Sequence, residues 1–112
     1  MSGKVLFNLA QWWPPGAPRK DQVELYEEIK AGRKTSEFRD PTDHWLSRLY
    51  TKEDKDGVIK PKVDRAWFVV GFPKGSVPRL EADITNIILH ADEMGYAYQI
   101  EIQFENVVEV LK

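Results

Sequence analysis

The sequence predicts an α+β fold: a small β-barrel of about five to six strands, with one main helix over 21–31 and one short helix over 42–50. Apart from these two stretches, the chain is a series of short strand patterns separated by turn residues. Strands at such short intervals favour a small barrel or a strongly bent sheet over an open parallel sheet. A length of 112 residues provides one modest core, so we expect residues 1–112 to form a single domain.

The composition is that of an ordinary soluble globular protein, with 42% hydrophobic and 30% charged residues. No apolar run is long enough to cross a bilayer, and the N-terminus lacks the apolar stretch of a secretory signal. The absence of cysteine excludes disulfides, cysteine nucleophiles and thiolate metal sites. We therefore expect a cytoplasmic protein without a membrane partner.

Charge is distributed unevenly along the chain, although the net charge is only −2. Residues 1–80 contain 15 Lys and Arg against 11 Asp and Glu, whereas residues 81–112 contain 1 against 7. This distribution is compatible with a locally basic cleft in the first part. Binding of duplex DNA is not expected, because it needs an extended cationic surface.

The N-terminal segment predicts a strand followed by a proline-rich loop. The strand covers 4–9, and the three prolines in 11–18 exclude a helix or a central strand there. Two adjacent tryptophans, Trp12 and Trp13, belong to this loop. One of them can line a cleft and stack on a nucleobase, or both can cover the end of the barrel.

The main helix has apolar residues at helical spacing. Leu25 and Ile29 lie one turn apart and predict its buried stripe. Val23 and Tyr26 extend the same stripe. Gly32 follows as the residue that ends the helix.

A short helix is predicted over 42–50, because Asp40 and Pro41 end the preceding strand. Thr42 is a candidate cap for it, as is the aspartate that follows. His44 and Arg48 lie one turn apart and would form its polar edge.

No metal site is predicted. The nearest group of metal-ligating side chains, Asp40, Asp43 and His44, lacks the ligand spacing of a metal site. We expect neither a metal nor another cofactor.

The remainder of the chain predicts a loop and three strands. Residues 51–64 mix lysines with acids and include a possible short strand at 58–59. Of the strands, the first is a continuous apolar run expected to be the most central. The second is half exposed, and the third alternates strictly and continues past a bulge or turn at Asn106. They cover 66–72, 80–89 and 96–111.

Charged residues gather between Gly32 and Arg39, where the main helix ends and a strand begins, in the pattern G-x-K-x-x-E-x-R. Alternate side chains of a strand share a face, so Glu37 and Arg39 would lie together, with Lys34 arriving from the turn. Phe38 would lie on the other face and enter the core. A carboxylate flanked by two cations can form an ion-paired network and leave donors for a polar ligand.

This pattern resembles the signature of the ASCH domain, a small β-barrel related to the PUA domains that bind RNA. Residues 25–31 are similar to the family's helix, which runs into the same glycine turn. The similarity continues through 44–49 and the strand that ends at 69–73. The resemblance implies a PUA-like barrel that recognises single-stranded RNA or a nucleotide.

In a binding module of this kind, Lys34 and Arg39 would meet phosphate or base acceptors, and Glu37 would accept from an exocyclic amine or a ribose hydroxyl. Trp13 or Trp45 would stack on the base. The candidate ligand-binding residues are Lys34, Glu37, Arg39, Trp13, His44, Trp45 and Arg48.

Two other functions remain open. Some ASCH relatives are similar to bacterial amidohydrolases that act on N4-acetylcytidine, in which the lysine activates a threonine nucleophile. Residues 31–35 match that motif, but Glu37 occupies the position of the nucleophile. A metal-independent ribonuclease would use Lys34 to stabilise charge, and Glu37 or His44 to move protons. The remaining alternative is a structural domain whose charged block is a salt-bridged surface network.

Overall fold

A computed structural model describes residues 3–9, 20–70 and 78–111. These residues form a small α+β domain with five strands and two helices, which confirms the predicted α+β class. The elements in chain order are β1 (Lys4–Asn8), α1 (Lys20–Lys30), β2 (Ser36–Arg39), α2 (Asp43–Leu49), β3 (Arg65–Val69), β4 (Arg79–Ala91) and β5 (Ala97–Val110).

The strands of the described residues form one mixed sheet in the order β1-β3-β4-β5-β2. β1 runs parallel to β3, and the other neighbours are antiparallel. The sheet curves into a half-barrel with β1 and β2 as its edges. The prediction that the apolar run of β3 is the most central strand is wrong, because β4 lies in the middle. Phe68 and Val69 are adjacent and both buried, so a run covered on both faces does not require the central position. Residues 71–72 of that prediction lie outside the described residues.

Register shifts bend the two longest strands. Between the pairs Asp83–Glu105 and Glu81–Val108, two residues of β5 oppose one residue of β4. Asn106 lies in this bulge with a φ of 56°, which confirms the irregularity predicted there. Bulges add local bend and twist, and this curvature lets a single sheet wrap around its core.

Aromatic and branched side chains fill the concave face of the sheet. Phe68 is fully buried, and its ring centroid lies 5.6 Å from that of Phe7 and 4.9 Å from that of Phe104. Ile100 and Ile102 are fully buried beside them. The inward alternation predicted for β5 is confirmed for these residues. Apolar burial and offset aromatic contacts supply the main stabilisation of such a core.

Side chains bridge the open side of the half-barrel, between its two edge strands. The guanidinium carbon of Arg39 in β2 lies 5.1 Å from the ring centroid of Phe7 in β1. Trp45 of α2 stacks on the same phenylalanine, with a centroid distance of 5.2 Å and an interplanar angle of 24°. Consequently β1, β2 and α2 meet at one place.

Helix α1 ends at the predicted glycine. Gly32 has a φ of 80°, and its N–H donates to the carbonyl of Ile29 at 3.1 Å. The N–H of Arg33 donates to the carbonyl of Glu28 at 3.0 Å, which completes a Schellman motif. Ile29 is fully buried, as predicted. Leu25 is 37% exposed, so its predicted burial is wrong.

Polar contacts attach α1 to the end of β5. The hydroxyl of the buried Tyr26 donates to Oε2 of Glu109 at 2.9 Å, and Nζ of Lys30 lies 3.0 Å from Oε1 of the same carboxylate. These two contacts turn the Tyr26 side of the helix toward the sheet and leave Leu25 at its flank. The hydrogen bond from Lys30, followed by that from Tyr26, lowers the pKa of Glu109. The side chain of Val23 lies outside the described residues.

Helix α2 is one residue shorter at each end than predicted. Thr42 is its N-cap, with Oγ1 accepting from the N–H of Trp45 at 3.4 Å. The short strand predicted at 58–59 is wrong: in this loop the structure has only an isolated bridge between Tyr50 and Pro61. Within the described ranges, no helix combines the length and apolarity needed to span a membrane.

Truncating Ile29 to alanine is expected to lower the free energy of unfolding by about 2–5 kcal/mol, because it opens a cavity under α1. The same truncation at Leu25, which is partly exposed on the same helix, is expected to cost less than about 1 kcal/mol. Urea denaturation followed by circular dichroism measures both losses. Equal losses would contradict this orientation of α1.

Glu109 predicts an acid-sensitive contribution to stability. A carboxylate whose pKa is lower in the folded state stabilises the fold above its unfolded pKa, and the contribution disappears as the pH falls through the folded value. We therefore expect Glu109→Gln to lose less melting temperature than the wild type when the pH falls below 4.5. Glu105→Gln, an exposed position of the same strand, is the control and should keep the wild-type profile. If the melting temperature of Glu109→Gln depended on pH as that of the wild type does, the stabilising contacts of Glu109 with Tyr26 and Lys30 would be refuted.

Candidate functional site

Strand β2 presents its charged residues to the interior. Glu37 and Arg39 are 7% and 9% exposed, whereas Phe38 faces outward and is 40% exposed. The prediction that Phe38 enters the core is therefore wrong, although Glu37 and Arg39 do share a face. Their partners across the sheet are the core residues Ile102 and Ile100. The two charges neutralise each other, so this face can be buried without isolating either one.

One carboxylate oxygen of Glu37 organises the charged network. Its Oε1 accepts from the N–H of Phe38 at 2.9 Å and lies 3.1 Å from Nη1 of Arg39. Nζ of Lys34 lies 3.9 Å from the same oxygen and is the more exposed of the two cations. The N–H of Phe38 fixes this carboxylate oxygen, and the oxygen in turn orients the guanidinium of Arg39.

The guanidinium of Arg39 has hydrogen-bonding capacity to spare. Nη1 also donates to the carbonyl of Phe38 at 3.0 Å. Nε and Nη2 are buried and have no hydrogen-bond partner among the residues that the structure describes. Burial lowers the pKa of Arg39 and Glu37 opposes that change, but an arginine stays protonated at neutral pH. Buried donors without partners are costly, and such groups require an explanation.

Two aromatic rings accompany this guanidinium. Its central carbon lies 5.1 Å from the ring centroid of Phe7 and 5.3 Å from that of Trp45. Cation–π attraction at such distances partly compensates for the lost hydration of the charge. His44 contacts Trp45 edge-on, with ring centroids 4.9 Å apart at 80°. Arg39 is therefore held by a carboxylate and by aromatic rings from β1 and α2.

A pocket of about 320 Å³ opens beside these groups, where β2 ends and α2 begins. Its size lies at the lower end of the range for small-molecule sites. Its wall combines residues with polar or charged side chains and two residues with large aromatic rings, a composition suited to a flat polar ligand. The lining residues are Phe38, Arg39, Asp40, Thr42, His44, Trp45 and Gln99.

The structure brings together only part of the predicted site. Arg39, His44 and Trp45 line the pocket, whereas Lys34 and Glu37 are absent from its wall. Glu37 lies beside Arg39, and Lys34 lies near Glu37 and the Phe38 ring. Arg48 lines a different depression, and Trp13 lies outside the described residues.

Sequence reasoning missed four wall residues. Asp40 was considered only as the end of its strand and as part of a rejected metal group. Phe38 was assigned to the wrong face of its strand, and Thr42 was considered only as a helix cap. Gln99 reaches the pocket because Ile100 beside it pairs with Arg39 across the sheet. The polar alternation of β5 marks Gln99 as outward-facing, but the strand register that brings it close to β2 is not written in the sequence.

A second polar cluster surrounds Glu101 on the other face of the sheet. Oε2 of Glu101 accepts from Ser36 at 3.1 Å and from Gln103 at 3.0 Å, and Oε1 lies 2.8 Å from Nε2 of His90. Hydrogen bonds from Gln103 and His90 are the main reasons why the pKa of Glu101 is lowered. The serine faces the carboxylate and not the imidazole, so the cluster lacks the nucleophile–base contact of a hydrolase.

Within the described ranges, no group of three His, Asp or Glu side chains is placed to hold a metal ion. Comparison of the chain with protein-family models, with curated proteins and with solved structures finds no match. The function is therefore inferred from the geometry and chemistry of the pocket.

The buried Glu37–Arg39 pair predicts that removing one charge destabilises the fold more than removing both. Glu37→Gln keeps an acceptor for the N–H of Phe38 but leaves the charge of Arg39 buried and uncompensated, which is expected to cost about 3–5 kcal/mol of unfolding free energy. Adding Arg39→Met removes that charge and is expected to restore most of the loss, because a buried pair is replaceable by apolar groups. Guanidinium chloride denaturation measures both variants. A double variant no more stable than Glu37→Gln would contradict the buried pair.

Proposed function

We propose that this chain is a nucleotide-binding module of the ASCH type, with a PUA-like barrel, and that the Arg39 pocket receives one nucleotide of a single-stranded RNA. The observation that carries the proposal is a buried guanidinium with two unpartnered N–H groups. It lies beside an aromatic wall in a pocket of about 320 Å³. Bases and phosphates present the acceptors that such a guanidinium can satisfy.

Four wall residues suit particular parts of a nucleotide. The guanidinium of Arg39 can donate to a base carbonyl, a ring nitrogen or a phosphate oxygen. The carboxylate of Asp40 and the carboxamide of Gln99 can accept from an exocyclic amine. The exposed ring of Phe38 offers a stacking surface, which single-stranded RNA recognition commonly uses. One face of Trp45 is already covered by Phe7, so Trp45 serves as the end wall.

The ASCH proposal is supported by the order of elements around the charged block. Helix α1 runs into the Gly32 turn, and β2 follows directly with Glu37 and Arg39. The curved sheet is compatible with a small barrel. In this proposal the Lys34–Glu37 contact fixes Arg39, and the pocket wall rather than all three charges receives the ligand.

Two observations weigh on the alternatives. Oε1 of Glu37 is occupied by the N–H of Phe38 and by Arg39, which leaves it poorly placed as a general base for a hydrolase. Thr35 precedes β2 and is exposed, outside the pocket wall. A purely structural role accounts for the Glu37–Arg39 pair but not for the unused donors of Arg39. Nucleotide binding is therefore the function that the site supports best.

Calorimetric titration of the four ribonucleoside monophosphates and of a short single-stranded RNA tests the proposal. The wild type is expected to bind, and the variant Glu37→Gln with Arg39→Met to bind about tenfold to a hundredfold more weakly, because charge-assisted hydrogen bonds to Arg39 are lost. Arg33→Gln is the control and should bind as the wild type does, since Arg33 pairs with Glu28 on an exposed surface.

The same samples distinguish the other two functions. Metal-free incubation with N4-acetylcytidine and with labelled RNA should leave both unchanged under the binding proposal. Product formation that Glu37→Gln abolishes would favour a hydrolase. Absence of both binding and product, with the folded state confirmed by circular dichroism, would leave the structural role.

A further inference from the structure

A groove with a cationic wall lies one turn further along α2 than the Arg39 pocket. Its volume is about 570 Å³, and three of its lining residues are Lys4, Arg48 and Lys62. Backbone, small and apolar groups make up the rest of the described wall, which contains no carboxylate. A groove of this composition favours an anionic ligand.

The cations of this groove differ from most others on the described surface. Lys30, Arg33 and Arg65 each lie within 3.2 Å of a carboxylate oxygen. Arg48 and Lys62 are exposed, and neither forms an ion pair with a carboxylate in the described ranges. Their charges remain available to a ligand.

Helix α2 joins the groove to the pocket. His44 lines the pocket, and Arg48, one turn later, lines the groove. Nη1 of Arg48 donates to the carbonyl of His44 at 2.9 Å, so the guanidinium folds back along the helix toward the pocket. One helical turn corresponds to about 5.4 Å, which separates the two sites by a step that a single strand can bridge.

Lys4 borders the groove from the first strand. Its Nζ lies 3.8 Å from the ring centroid of Trp67 in β3, so this ammonium is directed over the neighbouring strand and contributes less to the groove than Arg48 and Lys62. Lys62 comes from the loop that reaches β3, and its N–H donates to the carbonyl of Leu49 at 2.9 Å. The backbone of Lys62 is thereby fixed against α2, so the groove has an ordered wall.

We propose that this groove carries the sugar–phosphate backbone of the RNA strand whose neighbouring nucleotide occupies the Arg39 pocket. The inference rests on the proposed nucleotide-binding function and extends it from one nucleotide to a strand. A single strand is favoured over a duplex because the pocket requires an unstacked base. Arg48 on α2 and Lys62 beside that helix provide local phosphate contacts and not the extended surface of a duplex-binding protein.

The variant Arg48→Gln with Lys62→Gln tests the groove against single-stranded RNA oligomers of about eight nucleotides. We expect about tenfold weaker binding of the oligomer, and a plot of log affinity against log salt that is shallower by about 1.4, because two phosphate contacts are lost. The affinity for a ribonucleoside monophosphate should change less than about threefold, since neither side chain lines the pocket.

The matched control is Arg33→Gln with Lys55→Gln, which also removes one arginine and one lysine charge, from exposed positions outside both sites. It should leave oligomer binding and its salt dependence as in the wild type. If both double variants bound the oligomer equally weakly, the groove proposal would be overturned, because the loss of affinity would then depend only on net charge.

Each remaining outcome decides one of the two proposals. Wild-type oligomer affinity in the groove variant would overturn the strand path and leave nucleotide binding in the pocket intact. Oligomer binding that depends on the groove, without monophosphate binding or sensitivity to Arg39, would overturn the pocket and the path that joins it to the groove, and would leave the groove as a separate RNA-binding surface. Binding of neither ligand by the wild type would overturn both.

Discussion

The buried ion pair between Glu37 and Arg39 is the constraint on which the arrangement around the site depends. Two opposite charges 3.1 Å apart occupy a face of β2 that would otherwise carry apolar side chains. Because neither charge is isolated, the edge strand can point them toward the core and expose Phe38 instead. The guanidinium then reaches the aromatic ring of Phe7 across the open side of the half-barrel. A charged side chain therefore occupies the place where β1 and β2 approach each other.

Helix α2 lies beside the place where β1 and β2 approach each other, and it borders both the Arg39 pocket and the cationic groove. Its N-terminal residues His44 and Trp45 close the pocket at Arg39, and Arg48, one turn later, borders the cationic groove. The helix is short, and its anchor is Leu49, which is fully buried. The proposed nucleotide pocket and the proposed strand path thus share one rigid element. Such a shared element lets a local site recognise a base while adjacent cations contact the backbone.

Sequence patterns predicted well those features that depend on interactions between residues close together in the chain. The Schellman end of α1 follows from the freedom of Gly32 to adopt a positive φ. The alternation around Ile100 and Ile102 follows from the two-residue period of a strand with one buried face. Thr42 caps α2 because its hydroxyl can accept an N–H of the first turn. Membership of the pocket was less predictable, since it depends on which elements become neighbours.

By itself, the sequence determined the α+β class, both helices, the alternation of the last strand from Ile100 onward, an irregularity at Asn106, and the fact that Glu37 and Arg39 share a face. These follow from periodicity, turn chemistry and capping, all of which act over a few residues. Only the tertiary structure decided that this charged face turns inward and that Gln99 joins the wall. It also separated Arg48 from the pocket. The physical reason is that burying a charge depends on its partners in space, and strand register and edge position set those partners over long sequence separations.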